Sequence, residues 1–156
     1  MWNLLNKIKI ANSNDGITLL ETVLSIAILG LLGLGIMGAI VQFQTRTDLD
    51  AATLTGVDGL RRARSLSRAV LNDSSWGVKF ATGTITIFKG ASFAARDASF
   101  DEELDINPDI SILNSDEFVF ARFGATTTAS ATTTLFHAGV GASNTISVTS
   151  GGVINY

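Results

Sequence analysis

From Val23 to Val41 the chain runs nineteen residues without a charge, and Ser25 is the one residue there that is neither apolar nor glycine. As a helix this stretch rises about 28 Å, close to the ~30 Å hydrocarbon layer of a bilayer. The hydrophobic share of 46%, set against only 16% charge, is therefore not spread evenly along the chain. The chain beyond it is ordinary in composition, and its roughly 110 residues suffice for a modest core. The net charge of −3 argues against a general nucleic-acid binder. With no cysteine, disulfides, Cys-based metal sites and thiol catalysis are excluded. With a single histidine, His137, neither a conventional zinc site nor a His-based catalytic set is expected. No cofactor, metal or catalytic residue is therefore expected, and the chain does not read as an enzyme.

The order of features at the start narrows the choice further. A secretory signal peptide places its small-residue cleavage site after the apolar segment. Here Lys7 and Lys9 come first, then the polar stretch Ala11-Asn12-Ser13-Asn14-Asp15-Gly16, and only then the apolar run. A cut at Gly16 would leave the hydrophobic segment on the downstream product. The leading positive charges favour a leader on the cytoplasmic side and a carboxyl-terminal region across the membrane. Arg46 lies beyond the span, but Asp48 and Asp50 follow it.

The segment Gly16-Ile17-Thr18-Leu19-Leu20-Glu21-Thr22-Val23-Leu24 closely resembles the prepilin signature of type IV pilins and type II secretion pseudopilins. In that signature a glycine precedes the cut, a hydrophobic residue begins the mature chain, and glutamate is its fifth residue. Counted from Ile17, Glu21 is fifth, and Gly30 falls fourteenth, where the family often has glycine. The family most often starts its mature chain with phenylalanine, here replaced by Ile17. Where many members carry a helix-kinking proline late in the span, this chain has Gly38. Gly30, Gly33, Gly35 and Gly38 each weaken the helix by up to about 1 kcal/mol relative to alanine. Loosening or melting is expected there in an assembled filament.

The resemblance implies cleavage between Gly16 and Ile17 by prepilin peptidase and N-methylation of Ile17 by the same enzyme. It implies other pilin or pseudopilin subunits, an inner-membrane assembly platform and membrane lipid as partners. It also implies a single-pass protein of the cytoplasmic (inner) membrane, with its head outside the cytoplasm and then in a filament. Glu21 has a physical reason to be present. An unpaired carboxylate at mid-membrane costs on the order of 3 kcal/mol, and cleavage frees an α-amino group four residues away. In the family that amine belongs to a neighbouring subunit and draws it into register. The plainer reading of Glu21 is a carboxylate at the helix edge, favoured by the helix dipole.

Beyond Phe43 neither proline nor a glycine cluster stops the helix. Leu49, Ala52, Gly56, Leu60, Ala63, Ser67 and Val70 recur at steps of three and four, and Asn72-Asp73-Ser74-Ser75 breaks the pattern. The expected organisation is a leader at 1–16, a membrane and polymerisation helix at 17–43, its amphipathic continuation at 44–73, and a β-rich head at 74–156. Arg61, Arg62, Arg64 and Arg68 invite a DNA-binding reading; a solvated or subunit-contacting face is the simpler one.

Strands are expected at Trp76–Phe80, Thr84–Phe88, Ile110–Leu113, Glu117–Phe123, Thr133–His137, Thr145–Thr149 and Val153–Tyr156. Lys89 to Pro108 reads as irregular, anchored by Phe93 and Phe100, and the Thr/Ala/Ser run from Thr126 to Thr134 as a hairpin tip or loop. The class is α+β: a long amino-terminal helix, apolar in its first half, packed on an antiparallel, pilin-like head. Trp76-Gly77-Val78, Phe88-Lys89-Gly90 and Ile146 to Gly152 resemble the GspH/FimT branch. The acidic residues Asp97, Asp101, Glu102, Glu103 and Asp105 lack the Asp-x-Asp-x-Asp-Gly spacing of a calcium loop, although calcium occurs in some pseudopilins. Ser25 suits a helix–helix hydrogen bond. Three readings follow: a filament subunit, a DNA- or ligand-binding module at a pilus tip, and a membrane-anchored exported domain without a filament.

Overall fold

The computed structural model describes residues 17–139 and 141–156, with the side chains of residues 34–39 and 41 outside the description. The leader expected at 1–16, Gly16 included, lies outside the described residues. Among those described, one α-helix, a 3-10 turn and eight strands follow one another. The class is α+β with antiparallel sheets, as the residue pattern suggests. Two compact units are distinguished, residues 1–39 and 40–156.

Helix α1 is Leu19–Arg68 and runs unbroken through Gly30, Gly33, Gly35 and Gly38. Its start is set by Thr18, whose Oγ1 accepts a hydrogen bond from the Glu21 backbone N–H at 3.2 Å. This satisfies one of the donors that a helix leaves unpaired in its first turn. Among the described residues no helix is long and apolar enough to cross a membrane. The span expected from Val23 to Val41 includes residues 34–39 and 41, whose side chains are not described.

In the 40–156 unit, α1 buries one face. Leu49, Ala52, Thr53, Val57, Leu60, Ala63 and Ser67 are all buried there. The buried stripe is wider than the i, i+3/i+4 series of the sequence, because Thr53 disposes of its hydroxyl internally. Its Oγ1 donates to the Leu49 carbonyl at 2.7 Å, so a polar residue is hidden at little cost. The helix ends at Arg68, earlier than the bound of 73 expected for its amphipathic continuation. Val70 turns into the left-handed region (φ 53°, ψ 34°) before the 3-10 turn Leu71–Asp73.

A buried hydroxyl explains why the chain stops there. Ser67 Oγ accepts from the Trp76 N–H at 3.0 Å and donates to the Phe120 carbonyl at 2.9 Å. One serine thus ties the helix end to two strands. The Trp76 indole donates to the Leu71 carbonyl at 3.1 Å, and Arg122 pairs with Asp73 at 2.6 Å.

The strands are β1 (Trp76–Ala81), β2 (Thr84–Lys89), β3 (Asp97–Asp105), β4 (Ile110–Asn114), β5 (Glu117–Phe120), β6 (Ala131–His137), β7 (Ala142–Val148) and β8 (Ile154–Asn155). They form two four-stranded sheets, β3-β2-β1-β5 and β4-β6-β7-β8, each wholly antiparallel. Phe80, Ile85, Ile87, Ile110, Phe120, Leu135 and Ile146 meet Val57 and Leu60 of α1 in a single core. Gly77 makes room for the Phe88 ring, which is buried outside that core. A Cβ there would stand 2.4 Å from the Phe88 ring and 2.7 Å from the Phe118 carbonyl.

Three expectations need correction. The stretch 89–108 contains β3, paired to β2 from Thr84↔Asp105 to Lys89↔Asp97 with a register shift between Ile87 and Lys89. Its carboxylates hide the alternation, and an edge strand carries charge readily because its outer side faces water. The strand expected at Glu117–Phe123 stops at Phe120, where Ala121 N–H turns to the Thr126 carbonyl (2.8 Å) and Phe123 takes a positive φ. The low-complexity run is part strand, because Thr132 to Thr134 pair with Thr145 to Ser147.

Candidate functional site

At the amino-terminal end of the described chain, every residue from Ile17 to Gly33 is exposed. Leu19, Leu20, Ile26 and Leu31 are each more than two-thirds exposed. Glu21 sits in the first turn of α1, where the helix dipole favours a carboxylate. Thr18 and Glu21 also have the spacing of a capping box, a signal legible in the sequence and missed there. In the unprocessed chain the Ile17 nitrogen is a peptide nitrogen, so the amine that would partner Glu21 exists only after a cut at Gly16. Ile17 itself is 75% exposed two residues before the helix begins. Ser25 is exposed on α1, as are Gly30 and Gly33, around which no atom would meet an added Cβ within 4 Å.

The four arginines do not share one face. Arg62 turns toward β3, giving Nε and Nη2 to the two carboxylate oxygens of Glu102 at 2.6 and 2.7 Å. That two-pronged hydrogen bond and the adjacent negative charge raise the Arg62 pKa further above its ordinary value. Arg61, one residue earlier, lies over the Tyr156 ring at 5.5 Å and reaches Asp58 at 3.4 Å. Arg64 and Arg68 follow Arg61 at steps of three and four, so these three occupy one flank of the helix and Arg62 the other. Arg64 has a buried Nε without a hydrogen-bond partner among the described residues.

The acidic stretch is distributed rather than gathered. Asp101 pairs with Arg96 at 2.7 Å, Glu102 with Arg62, and Asp97 with Lys89 at 3.6 Å. Hydrogen bonds from the Ser99 hydroxyl and backbone hold the Asp97 carboxyl below its ordinary range, with Lys89 adding to the effect. Among the described residues, no three His, Cys, Asp or Glu side chains are placed to hold a metal ion. His137 is buried on β6, its Nδ1 accepting the Gly139 N–H at 3.1 Å. Phe93 stacks edge-on to Phe88, and Phe100 to Trp76, so both expected anchors make ring contacts.

A groove of about 290 Å³ lies beside β5, lined by Ala91, Glu117, Val119 and Thr127 to Ala129 among others. Its one carboxylate, Glu117, accepts the Phe93 N–H at 2.9 Å and has no histidine, serine–base pair or second acid in the lining. The groove thus offers no set of groups for nucleophilic or acid–base work. No family model, no curated protein and no solved structure matches the chain.

Proposed function

We propose that the chain is a structural subunit, of the minor kind, of a type IV pilus or type II secretion pseudopilus. Prepilin peptidase would cut between Gly16 and Ile17 and methylate the Ile17 amine. The first half of α1 would then hold the subunit in the inner membrane and pack against other subunits, and the head would lie outside the cytoplasm. The observation that carries this reading is the exposure of every residue from Ile17 to Gly33 on a helix that is almost wholly apolar. Such a surface is costly in water at about 25 cal/mol per Å² and calls for lipid or other helices around it. The register supports the same reading, since Glu21 stands four residues from the nitrogen that a cut at Gly16 would free.

The four arginines give little support to a DNA-binding reading, because they do not share one face and Arg62 is committed to Glu102. Two variants test the proposal. Gly16→Ala co-expressed with the peptidase leaves an uncleaved chain on an immunoblot. Glu21→Ala is cleaved normally and is absent from sheared filaments. If the parent chain is itself left uncleaved by the peptidase and is absent from sheared filaments, the chain is a membrane-anchored exported domain and the filament reading is wrong.

A further inference from the structure

Two charged surfaces of the 40–156 unit lie on opposite flanks of α1. On one flank Arg62 meets Glu102 of β3, and Asp48 accepts a hydrogen bond from Asn107 at 2.9 Å. On the other, Asp50 accepts from Asn144 of β7 at 2.9 Å, and Arg61 lies over Tyr156. The first flank ends in β3, the outer strand of its sheet, so its far edge is unpaired among the described residues. Five of its nine residues are acidic, and Glu103 and Asp105 are exposed with no ion-pair partner there. The second flank carries Arg61, Arg64 and Arg68; Arg64 and Arg68 have no ion-pair partner among the described residues. A surface acidic on one side and basic on the other is complementary to itself only after translation. It therefore suits a head-to-tail contact that repeats from copy to copy.

We infer that the acidic edge of β3 in one copy docks on the Arg61, Arg64 and Arg68 flank of a second copy of this chain. The spacings agree. Glu103 and Asp105, two residues apart on a strand, stand about 6.6 Å apart along it. Arg64 and Arg68, one turn apart on a helix, are separated by about 6 Å of rise. The contact is electrostatic and largely exposed, so it is weak alone and falls away with salt. It gains from neighbours already held close, and in that respect it rests on the filament reading. Its consequence is direction: each head presents one acidic and one basic side, so like sides repel and the array has a single polarity.

The chain has no cysteine of its own, which makes cross-linking clean. Two full-length chains are made, Ser65→Cys beside the basic flank and Asp109→Cys beyond the acidic edge, and co-expressed in membranes. A flexible bismaleimide should join them in the mixture and not in either chain alone. Glu103→Arg with Asp105→Arg in the second chain should cut the product about ten-fold or more, and Arg61→Glu with Arg68→Glu in the first should restore it. The parent product should also fall in 1 M salt. Absence of a mixed product, equal products from each chain alone, or indifference to charge reversal overturns the inference. Filaments that form without the cross-link refute this contact alone. A parent chain that is absent from sheared filaments while the cross-link persists refutes the filament reading and leaves the contact standing.

Discussion

The two parts of α1 obey different rules. From Val23 to Gly33 the helix is apolar or glycine at every position but Ser25, and every residue is exposed. From Leu49 to Ser67 it is apolar on one side, and that side is buried under two sheets. An amphipathic helix is matched to a core within its own chain, while an all-round apolar helix is matched to a medium or to other helices. The second part belongs to folding, the first to whatever surrounds the chain. The same residue type therefore has different consequences in the two parts. Leu60 is fully buried among Val57, Phe80 and Ile146, whereas Leu31 is 72% exposed.

The sharpest break of this comparison is a charge placed in each part. Leu60→Asp buries a carboxylate without a partner and should cost more than about 4 kcal/mol, unfolding the head. Leu31→Asp should leave head stability within about 0.5 kcal/mol while removing the chain from filaments. Thermal unfolding of the full chain in detergent, followed by circular dichroism, reads the first effect, and sheared-filament immunoblots read the second. Equal losses of stability would mean that the two parts are not distinct.

A smaller effect tests how the second part is anchored. Ser67→Ala leaves the Trp76 N–H and the Phe120 carbonyl without their shared hydroxyl, and should cost about 1–3 kcal/mol in denaturant unfolding. A loss below about 0.5 kcal/mol would show that the clasp does not hold the helix end to β1 and β5.

The smallest effects belong to the exposed ion pairs. Arg62→Ala should cost no more than about 1 kcal/mol, because both partners are more than a third exposed and water screens the pair. Asp97 has a folded pKa lowered by Ser99 and Lys89. Its contribution is therefore present above the unfolded pKa and is lost as pH falls through the lower folded value. Asp97→Asn should flatten that acid limb in a series of melting curves from pH 6 to pH 2. An unchanged limb would assign the acid dependence to other carboxylates.

Much of the helix was legible because its pattern has one physical cause. A step of three or four marks a buried stripe, and Leu49, Ala52, Leu60 and Ala63 are buried as that step requires. Thr53 escaped notice because its type is polar, although its hydroxyl is spent on its own helix. β1 and β2 were legible from alternation and from Gly83, whose φ of 83° suits the tight turn. β3 was not, because an edge strand obtains its pairing from a neighbour while its side chains answer to water. Phe123 reads as a further apolar residue after β5 but stands in a turn held by Thr126 close by and by Ser67, which is distant in sequence. At the amino terminus, Glu21 was singled out from register alone, although its capping-box spacing to Thr18 was equally legible, and the Glu21 N–H does bond the Thr18 hydroxyl.

The mass of the native amino-terminal peptide tests the central claim most directly. The account predicts a mature chain that begins at Ile17 and carries an N-methyl group on its amine. A native chain that retains Met1 and the residues up to Gly16 would contradict it.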